Sequence, residues 1–358
     1  MDIPLPNKYI FLWDRMGDYH RARIHEVTRI AGIDKVWAGD LGGADLTYGW
    51  ESDVNAGNYF RLSEKPVEKV GAFEALKSFR RITKKEKISH VCIAGYGRLA
   101  YVLIIIWSVL SGKKILLFAE SWYPGNNLAD RLKGLFLRIF THVCFLSGEK
   151  ARDHFVKRLH YPSKKIITGY SVIDNQHFAH STTEKGIPQQ LLCVARFSEE
   201  KNLKMLISAF RKSEIAKSWE LILVGGGPLK QELVMLTENS SVRLINWLGY
   251  SELPKLYHEA SCFILPSIFE PWGLVVNEAM AAGLPIILSD VVGALPDLLN
   301  EGKNGWKFGC RNETELVSVL NELSVTNPEK LNEMGKKSSE NISHFTCHTW
   351  AESVTANW

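Results

Sequence analysis

The feature that most constrains the fold is an alternation of short apolar runs and helix-like segments that is interrupted once and then restarts. In the first half YIFLW (9–13) precedes a helical stretch at 20–31, HVCIAGY (90–96) precedes LAYVLIIIWSVL, and KILLFAE (114–120) follows. In the second half LLCVARF (191–197), LILVGGG (221–227), VRLINWLG (242–249), CFILPS (262–267) and PIILSD (285–290) alternate with helical stretches at 201–212, 228–238, 252–260 and 274–282. Short apolar runs between helices read as parallel strands covered on both faces. HSTTEKGIP (180–188) is polar, contains Gly and Pro, and reads as a linker. The pattern predicts an α/β chain with two doubly wound domains, 1–182 and 188–342. Ligands then bind outside the carboxyl ends of the strands, in a cleft where two such domains face each other.

A length of 358 residues suits two domains, and 46% hydrophobic with 23% charged residues supports packed cores. The apolar run Leu99–Leu110 is too short to span a bilayer, which takes ~20 residues. The amino terminus lacks the layout of a secretory signal, so a cytoplasmic location is expected. Cys92, Cys144, Cys193, Cys262, Cys310 and Cys347 are scattered, and four of them sit in apolar runs, which favours core filling over metal or disulfide. The net charge of +4 divides unevenly. Residues 1–180 hold 27 Lys and Arg against 18 Asp and Glu, and residues 181–358 hold 16 against 21. The basic run Arg80, Arg81, Lys84, Lys85 and Lys87, with Arg131, Lys133 and Arg138 in LADRLKGLFLRIF, suits an anionic membrane surface or simply a solvated helix face. Nucleic acid is not an expected partner, because the basic run lacks interleaved aromatics.

Several constellations could carry chemistry. In SIFEPWGLVVNEAMAAGLPIILSD, Glu270 falls in the loop after a strand and Glu278 falls inside the following apolar helix. Gly273 permits close backbone approach, and the Leu274 and Val275 amides open a helix N-terminus suited to an anion. Arg196 and Lys201 follow the strand LLCVA, where two cations suit a diphosphate, although Glu199 and Glu200 are alternative partners. Gly225-Gly226-Gly227 is either a close approach to a nucleotide or a tight turn. Gly95-Tyr96-Gly97, with Glu120 after the next strand, imitates a dinucleotide fingerprint. Gly17, His20, Arg21 and Arg23 follow the first strand, where a histidine can be a general base or a sugar contact.

VARFSEEKN, LVGGGPL, WLGYSELPKLYHEASCFILPS and FEPWGLVVNEAMAAGLPII make residues 191–290 similar to the retaining nucleotide-sugar glycosyltransferases of family four. GDYHRARI, ESWYPG and GYSVIDNQHF relate the first half to a bacterial branch of that family. The resemblance implies the GT-B fold, two Rossmann-like domains with a C-terminal helix at 343–358 crossing back to the first. It implies Arg196 and Lys201 on the donor diphosphate, joined by the Gly273, Leu274 and Val275 backbone. It also implies Gly17, Gly226, Gly227 and Tyr250 in the donor site, Glu278 on the ribose, and Glu270 as the catalytic carboxylate at the donor sugar. His20, Arg23 and Glu120 fall on the sugar or acceptor side, and Glu120-Ser121-Trp122 stands where many members carry a histidine. A UDP- or GDP-linked sugar would be a co-substrate, with no cofactor and no metal, and the acceptor a glycan or lipid-linked hydroxyl. The competing readings are an NAD(P)-dependent oxidoreductase built on Gly95 and Gly97, and an inactive sugar-nucleotide-binding partner subunit.

Overall fold

The computed structural model describes residues 7–43, 58–123, 125–179, 189–356 and 358. The expected linker at 180–188 lies outside the described residues. The chain divides into two compact units, residues 1–172 with 347–358, and residues 173–346. Each holds one all-parallel sheet.

In the first unit the strands are β1 (Tyr9–Trp13), β2 (Val36–Asp40), β3 (Asn58–Arg61), β4 (His90–Ala94), β5 (Lys114–Ala119), β6 (Val143–Leu146) and β7 (Ile166–Thr168). Their order is β3-β2-β1-β4-β5-β6-β7. Helices α1 (Asp18–Ala31), α2 (Ala72–Lys85), α3 (Leu99–Leu110) and α4 (Asn127–Phe140) connect them. Side chains alternate across a strand, so β1 sends Ile10 and Leu12 to one face and Phe11 and Trp13 to the other. Ile10 and Leu12 join Phe79 of α2, Ile104 and Ile105 of α3 and Leu137 of α4 in one core. Phe11, Phe118, Phe145 and Tyr170 build the opposite face around Trp350 of the C-terminal helix Cys347–Thr355, with centroids 5.5–6.4 Å from its ring. That helix packs on α1 within the first unit.

Arg23, which the sequence placed on the sugar or acceptor side, belongs to this packing. It is 1% exposed. Its Nε and Nη2 both donate to the Val172 carbonyl, at 3.1 and 2.7 Å, and its guanidinium lies over the Tyr170 ring. A buried guanidinium needs such partners.

The unit boundary differs from the expected one because the segment after Val172 is tied to the second unit. Phe178 is buried with its ring 5.5 Å from Tyr250 and 5.7 Å from Tyr257. Asn175 donates to the carbonyls of Ile342 and Phe345, and His258 Nε2 donates to that of Phe178. The first unit resumes at Cys347, not at 343.

The second unit contains β8 (Gln190–Val194), β9 (Glu220–Val224), β10 (Val242–Ile245), β11 (Cys262–Leu265), β12 (Ile286–Ser289) and β13 (Gly305–Phe308), in the order β10-β9-β8-β11-β12-β13. Because all are parallel, their carboxyl ends share one edge of the sheet, and β8 and β11 are direct neighbours there. Cys92, Cys144, Cys193 and Cys262 are buried, and burial pushes the Cys193 thiol up to about 12, so they act as small apolar side chains.

His90 gives the first unit an acid sensitivity. It is buried between the Tyr9 and Trp358 rings. Burial, then Lys114 and His142, push its pKa down to about 4. The unfolded chain takes up this proton near pH 6.5 and the folded one does not, so the contribution is complete above 6.5 and is lost as pH falls towards 4. The shift corresponds to a contribution on the order of 3 kcal/mol. Thermal unfolding should show Tm falling from pH 6.5 to 4.5, before most carboxylates protonate. His90→Gln should flatten that slope, and an unchanged slope would show that other groups set it.

Candidate functional site

Two loops at the carboxyl ends of β8 and β11 meet. From the first comes Lys201, whose Nζ donates to Glu270 Oε2 of the second at 2.5 Å, with both side chains largely shielded from solvent. Ser267 Oγ donates to the same oxygen at 3.2 Å. The backbones are stitched as well, because Ile268 N–H donates to the Glu200 carbonyl at 2.8 Å. Asn202 adopts a left-handed conformation, φ 55°, which turns the chain directly into helix Leu203–Lys212. Its side chain donates to the carbonyls of Pro266 and Cys310, fixing Lys201 against the neighbouring loop.

Glu270 is further fixed from below. Its carbonyl accepts from Gly293 N–H, and the Trp272 carbonyl accepts from Ala294 N–H. Gly293 must lack a side chain, since a Cβ there would fall 1.7 Å from the Pro271 carbonyl oxygen. Trp272 is buried and its indole N–H donates to Asn277 Oδ1. Gly273 then opens the site helix Leu274–Ala281 at φ +99°, a backbone that only glycine adopts without strain, with Leu265 already 2.9 Å from a would-be Cβ. Leu274 and Val275 occupy its first turn, where amides have no intrahelical acceptor. This sets amide donors, one lysine and one carboxylate beside one another.

Glu278 lies deeper than the motif suggested. It is 0% exposed, and its Oε2 accepts from Tyr257 OH at 2.6 Å. Tyr257 and Phe178 in turn pack edge to face. Tyr250 is stacked on the His177 ring at 4.1 Å, and its carbonyl accepts from His177 Nε2. Tyr250 thus braces helix Asn175–Phe178.

The glycine run after β9 has its first use in packing. A Cβ at Gly225 would sit 1.9 Å from the Ala195 carbonyl oxygen, and one at Gly227 2.6 Å from that of Phe197. Phe197 N–H donates to the Gly226 carbonyl. The run therefore holds Ala195 and Phe197 on either side of Arg196 and sets where that arginine departs. The Gly226 Cβ position faces Trp247, 2.8 Å from its Cδ1. Trp247 is 52% exposed and follows β10, a flat apolar surface at the same sheet edge.

In the first unit, Gly17 caps α1 and its N–H donates to His20 Nδ1 at 3.1 Å. A backbone N–H only donates, so Nδ1 is the acceptor and the proton of the neutral ring is on Nε2. Burial, then Arg23, hold the His20 pKa well below 6.5. The ring, 4.7 Å from Trp13, is therefore a neutral N–H donor at pH 7. The loop is anchored by Asp40, which accepts from Met16 N–H, and by Asp14, which accepts from Arg98 and Tyr101. Glu120 accepts from Ser171 Oγ at 2.6 Å. The Gly95-Tyr96-Gly97 loop follows β4, the strand beside β1, and not the unit's first βαβ turn, and the acid that a dinucleotide site requires is this Ser171-bonded Glu120.

Residues 174–341, nearly the whole second unit, match the family model described as glycosyl transferases group 1. The chain is 28% identical over 199 residues to a putative colanic acid biosynthesis glycosyltransferase, WcaL, of Salmonella typhimurium, which covers 52% of this chain and 49% of that protein. It is 34% identical over 252 residues to the alpha-monoglucosyldiacylglycerol synthase of Acholeplasma laidlawii, covering 63% of this chain and 61% of that one. These matches span about half to three fifths of the curated relatives. Among solved structures, Anabaena HepE in complex with UDP and glucose superposes with a TM-score of 0.76 at 15% identity, covering 97% of this chain and 98% of HepE. That likeness establishes a shared fold. The readings as an oxidoreductase or an inactive partner draw no support from these matches. Two parallel Rossmann-like sheets of this kind are the GT-B architecture, and it is the second unit that is similar to the group 1 glycosyl transferases.

Proposed function

We propose that the protein is a retaining glycosyltransferase that moves a sugar from a nucleoside-diphosphate donor, UDP- or GDP-linked, to a hydroxyl of a glycan or lipid-linked acceptor in bacterial polysaccharide or glycoconjugate synthesis. The observation that carries this reading is the Lys201–Glu270 pair, seated where two strand-end loops meet at the N-terminus of the site helix. The relatives named for colanic acid and for a glucosylated diacylglycerol support a glycan or lipid acceptor. HepE, solved with UDP, makes UDP the first nucleotide to test.

In this reading the anomeric carbon–oxygen bond to the diphosphate breaks and its electron pair leaves with the phosphate. The acceptor oxygen bonds to the same face of the anomeric carbon, and its proton passes to a departing phosphate oxygen. Charge grows on the diphosphate as the bond lengthens, so Arg196, Lys201 and the first-turn amides act most strongly in the transition state. Lys201 has three donors; with one on Glu270, others remain for phosphate. These cations supply the neutralisation, so the reading calls for neither metal nor cofactor. Glu270 holds the sugar hydroxyls. Glu278 binds the ribose and, through Tyr257, steadies the site helix. Trp247 offers a face to the base. On the first unit Gly17, His20 and Glu120 serve the sugar or acceptor, with His20 as a donor rather than a base. The protein works at the cytoplasmic face of the membrane.

Three measurements check this. First, UDP should raise Tm where NAD does not, and Arg196→Ala or Lys201→Ala should each weaken UDP binding by about 1.5–3 kcal/mol. Unchanged affinity in both would remove the diphosphate from this site. Second, the sugar released from UDP-glucose in the absence of acceptor, followed by NMR, should appear first as the α anomer, with or without EDTA. The β anomer appearing first would overturn retention. Third, Glu270→Gln should chiefly lower kcat and Glu278→Gln chiefly raise donor KM. Wild-type kcat in Glu270→Gln would move the sugar contact elsewhere, with Glu120 the next carboxylate to test.

A further inference from the structure

Helices α2, α3 and α4 lie side by side on one face of the first sheet. Their inward sides fill the core, and their outward sides are unusual. On α4, Leu128, Leu132, Leu135 and Ile139 are 52–66% exposed. Their spacing of four, three and four places them on one stripe of the helix. Asp130, Gly134 and Leu137 form the buried stripe on the opposite side. A surface helix needs one apolar face to join a core; this helix has a second. Nor is it loosely seated, because a Cβ at Gly134 would fall 1.9 Å from the Leu159 carbonyl oxygen. Phe73 at the start of α2 and Leu99 and Leu110 at the ends of α3 add exposed apolar side chains to the same face.

Cations surround this stripe. Arg131 and Arg138 are exposed on its flank, and Lys77, Arg80, Arg81, Lys84 and Lys85 are exposed on α2. Among the described residues Arg131, Arg138, Lys77, Arg81 and Lys84 pair with no carboxylate. The acids of the three helices are already engaged, Glu74 with Lys65 and the buried Asp130 with Lys133 and Arg158. An aliphatic stripe flanked by unpaired cations, on a face with no carboxylate to spare, complements a surface that is apolar beneath and anionic on top.

We propose that the α2–α3–α4 face seats the first unit on an anionic lipid bilayer, with α4 lying in the interface. The four aliphatic side chains of α4 enter the boundary between headgroups and acyl chains, and the cations of α2 and α4 meet lipid phosphates. This deepens the reading of a membrane-side acceptor, and it is separable from glycosyl transfer because lipid binding requires no donor.

The test is co-sedimentation of the full chain, without nucleotide, with vesicles of phosphatidylcholine alone or mixed with phosphatidylglycerol. The wild type should bind the mixed vesicles more strongly, and less so as salt rises. Leu132→Gln with Leu135→Gln should lower that binding about tenfold or more, and Arg131→Gln with Arg138→Gln should lower both binding and its salt dependence. Both double variants should keep wild-type Tm and wild-type hydrolysis of soluble UDP-glucose, since none of these residues lies in the donor site. Equal recovery of the wild type with neutral and anionic vesicles at low salt overturns the proposal. So does a leucine double variant that dissociates a dimer in sedimentation velocity while vesicles recover nothing, because the face is then a contact between copies. If hydrolysis fails in the wild type while vesicle binding holds, the transferase reading falls and the lipid face stands.

Discussion

The contact between Lys201 and Glu270 is the point on which the second unit's site depends. A lysine and a carboxylate shielded from water stay charged at reasonable cost only when each satisfies the other and further hydrogen bonds share the load. Ser267 supplies one such bond to Glu270. The pair joins loops that are distant in sequence, and β8 and β11 bring them together because they are adjacent parallel strands with a common carboxyl edge.

Most of the surrounding sequence serves to hold that contact still. Asn202 turns the chain directly after Lys201 and ties it to Pro266 and Cys310. Gly293 lets one loop press against Pro271 under Glu270, and Trp272 fills the space behind it. The glycine run after β9 clamps the residues flanking Arg196. Gly273 takes the left-handed conformation that aims the site helix. Function in this account comes from side chains with few alternative positions, which lowers the reorganisation needed when charge develops on a leaving group.

The strands that flank the site were legible in the sequence because buried parallel strands are continuous apolar runs, as in CFILPS and LLCVA. Glu270 and Lys201 were each legible as strand-end loop residues, but their contact was not, because the sequence set Lys201 beside Arg196 and offered Glu199 and Glu200 as its partners. Other features depend on neighbours that a linear pattern does not show. Gly225 and Gly227 face the backbone at Ala195 and Phe197, so their lack of side chains is used for packing whatever else they do. Arg23 looks like a polar residue on an exposed turn, yet Val172, Tyr170 and Trp350 surround it. Glu278 carries a motif's position, but Tyr257, a residue from another helix, takes up its oxygen. The boundary after Val172 was hidden because Phe178 finds its aromatic partners 70 to 80 residues later, at Tyr250 and Tyr257. On α4 the sequence showed leucines beside cations. Only the fold shows that two separate apolar stripes exist and that the outer one is uncovered.

The proposed donor site requires Lys201 and Glu270 to act on the donor as one unit. A double-mutant cycle on UDP affinity, measured by calorimetry for the wild type, Lys201→Ala, Glu270→Ala and the double variant, tests it most directly. If the pair is a unit, the double variant should bind little worse than the weaker single variant, leaving a coupling above about 1 kcal/mol. Losses that simply add would contradict the claim, because they would show that the two side chains meet in the structure without working together on the donor.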